Sequence, residues 1–186
     1  MQEEITQSLK ILKEGGTIIY PTDTVWGLGC DATNEEAVAE VYKIKQRLKS
    51  KSLVVLVDGF AMLQRYIPGI PRAILDFLMT LTKPITVIYT NPMGLAQNLI
   101  ASDNTVAIRI VKKDFCYQLI KQFGKPIVST SANISGKPTP KSFKEIDISL
   151  LDAVDYVVNL QRDKQADKSS TIVKIETDGQ LTIIRD

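Results

Sequence analysis

Histidine is absent from this 186-residue chain. That removes the commonest general base, the Ser-His and Cys-His nucleophile pairs and most zinc sites. Any chemistry therefore runs on Lys, Arg, carboxylates and hydroxyls, with Mg²⁺ as the metal such groups suit. Cysteine is scarce. Cys30 and Cys116 lie far apart without metal-ligand spacing, and in a reducing compartment they read as small core residues, not as a disulfide. No apolar run exceeds strand length, residues 53–57 being an example, whereas about 20 residues are needed to span a bilayer. The acidic start Met1-Gln2-Glu3-Glu4 lacks the charged-then-apolar layout of a signal peptide. The expectation is a cytoplasmic protein with no membrane partner. Neither Gly-x-x-x-x-Gly-Lys-Ser/Thr nor Gly-x-Gly-x-x-Gly occurs, so side chains would have to hold any phosphate.

What is present is one core's worth of apolar residues, 44% of the chain, enough for a single domain over residues 1–186. The stretch that organises the chain is 126–138. There an apolar run, Ile127-Val128, turns at once into Ser129, Thr130, Ser131, Asn133 and Gly136. This reads as a buried strand ending in a polar loop, the place where α/β proteins put ligands. The plainer reading is a Ser/Asn/Gly turn or a helix cap. A second strand-to-loop junction follows residues 17–20, with Thr22, Asp23, Thr24, the lone tryptophan Trp26 and two glycines. It suits a small polar substrate, with Trp26 packing in the core. A third group of hydroxyls lies at Ser169, Ser170 and Thr171. Net charge is only +2, yet residues 41–57 and 115–144 contain no acid and carry most of their charge as lysine. Two acid-free basic segments point to one anion-binding face. A solvated helix C-terminus would equally account for Lys43, Lys45, Arg47, Lys49 and Lys51.

Periodicity predicts helices at 3–14, from about 35, at 60–66, 70–81 and 114–123, with a weak one near 142–146. Strands are predicted at 17–20, 53–57, 85–89, 105–109, 155–158, 171–175 and 181–184. A chain leaving the second helix near Lys45 in extended form would put Lys45 and Arg47 on one side. Arg109, ending an apolar strand, is either an edge guard or a buried anion ligand. The polar run 161–170 reads as a mobile surface loop.

The segments Tyr20-Pro21-Thr22-Asp23-Thr24-Val25-Trp26-Gly27-Leu28-Gly29, Lys45-Gln46-Arg47 and Ser129-Thr130-Ser131-Ala132-Asn133-Ile134-Ser135-Gly136-Lys137-Pro138 together resemble the YrdC-like family, the threonylcarbamoyl-adenylate synthases. The likeness runs from about Gly16 to Arg185. It implies an α/β fold, a single-domain twisted open mixed sheet flanked by helices with a basic concave face. It also implies condensation of ATP, L-threonine and bicarbonate to threonylcarbamoyl-AMP and pyrophosphate, the first step towards N6-threonylcarbamoyladenosine (t6A) in tRNA. Mg²⁺ would ride on the triphosphate, and tRNA or the t6A-transfer machinery would act downstream. By this resemblance the catalytic set is Lys45, Arg47, Ser131 and Asn133. Substrate-binding residues are Thr22, Thr24, Lys51, Arg109, Ser129, Thr139, Ser170 and Arg185.

The chain departs from the family pattern in places. Leu48 and Ser52 stand where prolines are usual, Leu81-Thr82-Lys83-Pro84-Ile85-Thr86 replaces a Trp-Pro-Gly-Pro-Leu-Thr segment, and Lys174 replaces an aspartate. Two other readings use the same residues. One is a non-catalytic double-stranded RNA or tRNA-binding module, which an aromatic-basic stacking pattern would favour and this sequence lacks. The other is a carbamoyl-transfer domain related to hydrogenase maturation, which requires further domains.

Overall fold

The computed structural model describes residues 1–48, 52–80, 83–112, 115–166, 169–175 and 181–185. Helix α1 (Gln2–Lys13) buries Ile5, Ser8 and Leu12 at helical spacing, with Glu3 and Glu4 in its first turn and Lys10 and Lys13 in its last, the charge order its dipole favours. Helix α2 (Glu35–Ile44) begins where the Asn34 side chain accepts hydrogen bonds from the Glu36 and Ala37 amides, satisfying two donors that the first turn leaves open. The remaining helices are α3 (Phe60–Tyr66), α4 (Arg72–Thr80), α5 (Phe115–Phe123) and α6 (Ile148–Ala153). No helix among the described residues is long and apolar enough to cross a membrane.

The strands are β1 (Ile18–Tyr20), β2 (Gly27–Gly29), β3 (Val54–Val57), β4 (Ile85–Thr90), β5 (Thr105–Ile110), β6 (Ile127–Ser131), β7 (Tyr156–Val157), β8 (Thr171–Ile175) and β9 (Leu181–Arg185). They join in one mixed sheet in the order β7-β1-β2-β6-β3-β5-β4-β8-β9. Helix α1 packs on β1 and β7, α2 on β2, α3 on β3 and β5, and α5 on β3. Most β-branched and aliphatic residues of β1, β3, β5 and β6 are buried, with Val54, Ala107 and Ile110 partly exposed.

Two elements escape the periodicity. Strand β2 is Gly-Leu-Gly, a composition strands disfavour, and it forms because β1 and β6 flank it on both edges. Helix α6 follows a 3₁₀ turn (Phe143–Glu145) where a single weak helix was expected. The polar end of 126–138 is also strand for longer than expected. Ile127 to Ser129 pair with β3, while on the other edge Thr130 and Ser131 pair with β2 and Ile127 bridges Asp31 beyond it, so the hydroxyls of β6 sit on the sheet itself. Arg109 lies on β5, between β3 and β4, which removes the edge-guard reading.

The crossing of β2 and β6 depends on Gly29. A Cβ there would stand 1.9 Å from the Val128 carbonyl oxygen and 3.0 Å from the Tyr20 ring. Tyr20, wholly buried, runs past this gap to donate its hydroxyl to Val128 O at 2.8 Å, and burial pushes that phenol well up from its ordinary value. Gly29→Ala has to push backbone away from backbone. It should lower stability by about 1–3 kcal/mol, read as a reduced urea midpoint, and an unchanged midpoint would show that the sheet crossing tolerates a side chain.

Candidate active site

A cavity of about 190 Å³ opens on the sheet between β2 and β9. Several strand ends meet there because the sheet is open and its loops rise from one region. From the β1–β2 turn come Thr22 and Thr24, from β6 Ser129 and Ser131, and from β5 Arg109. Ser170 precedes β8, Arg185 lies on β9, Arg47 follows α2, and Thr139 follows the β6 turn; all line the same space.

The threonine turn is ordered from within. Thr22 Oγ1 donates to Val25 O at 2.6 Å and accepts the Thr24 amide at 3.0 Å, and the two threonine hydroxyls meet at 3.0 Å. Thr24 Oγ1 then accepts from Arg109 Nη1 at 3.0 Å. Arg109 is 5% exposed. Its Nη2 stands 3.0 Å from Asp23 Oδ1 as an ion pair rather than an aligned hydrogen bond. Its Nε has no acceptor among the described residues. A buried guanidinium with an unused donor beside a cavity is suited to an incoming anionic oxygen.

Lys45 and Arg47 are not brought to one side. Helix α2 closes with paired bonds from the Gln46 amide to Lys43 O and from the Arg47 amide to Tyr42 O, both 2.9 Å, a Schellman end. Gln46 takes the left-handed conformation at φ 51°. The chain turns there instead of extending, which corrects the extended-segment expectation and sends the two cations apart. Arg47 reaches the cavity wall with Nη2 on Ser52 O at 2.9 Å. Lys45, 1% exposed, points behind the wall. Its Nζ donates to Ser131 O, to Asn133 O at 2.7 Å and to Asn133 Oδ1 at 3.3 Å. Asn133 Oδ1 also accepts from Ser131 Oγ, and its Nδ2 donates to Lys137 O at 2.6 Å. Lys45 and Asn133 thus form a buried brace beneath Ser131. Lys51, assigned to substrate from the sequence, lies outside the described residues.

Three groups at the site were not singled out from sequence. Asp23 steadies Arg109. The carbonyl of Ser52 holds Arg47. Thr86, fully buried in β4, meets Ser170 Oγ at 2.8 Å. Asp23 reads in the sequence only as part of the threonine turn, without a partner, and Thr86 shows there as a hydroxyl in an otherwise apolar strand. The polar run after residue 160 is pinned: Arg162 lies over the Phe143 ring at 4.3 Å, and the Ala166 amide donates to Lys141 O at 2.6 Å. Phe143 in turn packs on Trp26 at 5.0 Å, so this strap passes beside Thr22 and Thr24. Trp26 itself is a core residue, 3% exposed.

An open mixed sheet with arginines and a belt of hydroxyls around one cavity defines an α/β protein built to hold a small, polar, anionic ligand. The chain belongs to the Sua5/YciO/YrdC family, whose profile, described as "Telomere recombination", matches residues 10–186. It is 34% identical to a protein named threonylcarbamoyl-AMP synthase from Pseudoalteromonas translucida, over 85% of this chain and 86% of that protein. It is 35% identical to a putative threonylcarbamoyl-AMP synthase from Methanocaldococcus jannaschii, over 98% of this chain and 87% of that one. Its fold matches the crystal structure of P. abyssi Sua5 complexed with L-threonine at a TM-score of 0.87 and 24% identity, covering 100% of this chain. This chain spans 54% of the length of that structure.

Burial pushes the Lys45 amine down to about 7, and the charge of Arg47 adds to the effect. The folded value lies below the unfolded one, so between about pH 7 and the ordinary lysine value the unfolded chain binds the extra proton. Stability at this position is therefore lowest below pH 7 and rises with pH through that window. Urea midpoints of the wild type should climb from about pH 6.5 to about pH 9 relative to those of Lys45→Met; parallel pH profiles for the two proteins would remove Lys45 as the source.

Proposed function

We propose that this chain is a threonylcarbamoyl-AMP synthase, which condenses ATP, L-threonine and bicarbonate to threonylcarbamoyl-AMP and releases pyrophosphate, the first step of t6A formation in tRNA. One observation carries the reading. Arg47, Arg109 and Arg185 converge with the hydroxyls of Thr22, Thr24, Ser129, Ser131, Thr139 and Ser170 on a single cavity, in a chain similar to proteins bearing that name.

The chemistry asks for charge neutralisation and alignment, which this lining supplies, and not for the histidine base it lacks. The amine of threonine bonds to the carbon of CO₂ with loss of a proton, or to that of bicarbonate with a C–O bond broken and water released, to give a carbamate. A carbamate oxygen then attacks the α-phosphorus of ATP, and the bond to the pyrophosphate oxygen breaks. Phosphate and carboxylate oxygens fit the guanidinium forks of Arg47, Arg109 and Arg185, which offset charge as it develops on the leaving group. The hydroxyls orient the threonine and carbamate ends, and proximity provides much of the rate. Lys45 and Asn133 act through Ser131 by holding its turn. Among the described residues no group of three or more Asp, Glu, Cys or His is arranged for a metal, and Asp23 is engaged by Arg109. Magnesium would enter with the substrate as MgATP.

Pyrophosphate release by the purified protein should require ATP, threonine and bicarbonate together, with serine a much poorer substrate than threonine. Release independent of threonine, or none from folded protein under any combination, would overturn the reading. Within an active wild type, Arg47→Ala and Arg109→Ala should each lower kcat/KM by about 10²-fold or more, and near-normal kinetics in either would take that arginine out of the site.

A further inference from the structure

Thr86 is an anomaly in its strand. Its neighbours Ile85, Val87 and Ile88 make β4 an apolar run, and Thr86 is 0% exposed, so its hydroxyl is shut off from bulk solvent. A polar group removed from water without a partner is costly, and among the described residues Thr86 Oγ1 has one side-chain partner, Ser170 Oγ at 2.8 Å.

Its placement ties it to the cavity. The strand register sets Thr86 opposite Arg109 on β5 and opposite Ile172 on β8, with Ile172 opposite Arg185 on β9. Residues paired in this way stand on the same face of a sheet. Arg109, Ile172 and Arg185 all line the cavity, and Thr86 completes the row underneath it. Ser170 is fastened from two sides, since its carbonyl accepts from Arg185 Nη2 at 3.0 Å while its hydroxyl meets Thr86.

A hydroxyl has one proton to give and lone pairs to accept with. Either hydroxyl of this pair could donate, but among the described residues Ser170 Oγ is the one acceptor the Thr86 hydroxyl meets, so its proton is satisfied there by donation to Ser170. The proton of Ser170 is then left for the cavity, which is lined by cationic arginines and suits an anionic oxygen. The reverse orientation would leave a buried Thr86 proton with no acceptor among the described residues.

We propose that Thr86 is a positioning residue of this site: by donating to Ser170 it fixes Ser170 as a hydrogen-bond donor to an anionic substrate oxygen, either carboxylate or phosphate. This rests on the synthase reading above. Thr86 touches no substrate and acts through Ser170.

The test compares wild type, Thr86→Val, Thr86→Ser, Ser170→Ala and the Thr86→Val/Ser170→Ala double variant in two assays, pyrophosphate-release kinetics and calorimetric binding of threonine and of MgATP. Valine keeps the branched shape and removes the donor. Thr86→Val should raise KM and Kd by about tenfold for one of the two substrates, the size of a hydrogen bond to a charged group. Threonine as the affected substrate identifies the carboxylate, and MgATP the phosphate. Thr86→Ser should restore the wild-type values, and Thr86→Val should add nothing in the Ser170→Ala background. The proposal falls if Thr86→Val leaves both constants within about twofold of wild type, if serine is as impaired as valine, or if the two single effects add in full. Should valine disturb folding, the serine variant and the Ser170→Ala background decide. An active wild type with an indifferent Thr86→Val sinks this proposal alone, whereas a wild type that neither binds threonine nor releases pyrophosphate sinks the synthase reading and this proposal with it.

Discussion

A guanidinium placed in the middle of a nine-stranded sheet has to be satisfied there, and much of the site follows from how that is done. Arg109 sits between β3 and β4 with almost no access to solvent. A charge in that position is tolerated only with partners. They come from the β1–β2 turn, where Thr24 and Asp23 reach Arg109. That demand draws the turn over the sheet, and with it Thr22 and the short strand β2. Among the described residues Arg109 Nε finds no acceptor. The site is thus organised around a cation that its own fold leaves incompletely paired.

The second buried cation is handled differently, and the contrast divides the labour of the site. Lys45 is met by carbonyl and amide oxygens of residues 131 and 133, not by a carboxylate. A lysine so placed braces backbone, while its neighbour Arg47, one left-handed residue away, stays in the cavity wall. Neutral acceptors do little to offset the loss of water, which is why the amine falls while its geometry still suits an ammonium.

Legibility from the sequence followed how local each feature was. The Asn34 cap, the apolar runs of β3 and β5 and the periodicity of α1 depend on near neighbours and were readable. Strand β2 was not, because glycine carries no strand signal and this segment is strand only through the partners on either side. Ser129 to Ser131 were visible as functional chemistry but misread as loop, since hydroxyls mark turns when nothing shows the strand beside them. Lys45 and Arg47 were recognisable as a pair, whereas their divergence hangs on the φ of Gln46, which no residue type announces. Thr86 lies beyond such reading, as its meaning depends on a residue 84 positions away.

The stack of Trp26, Phe143 and Arg162 has a use of its own. Trp26 is the chain's single indole. It belongs to the same turn as Thr22 and Thr24 at the cavity, and the strap that carries Arg162 passes beside that turn. Every photon of tryptophan emission therefore comes from one address, where the two sides of the pocket meet through an aromatic ring. The protein carries an intrinsic optical reporter at the seam of its site, and no dye or engineered label is needed to follow that seam in solution.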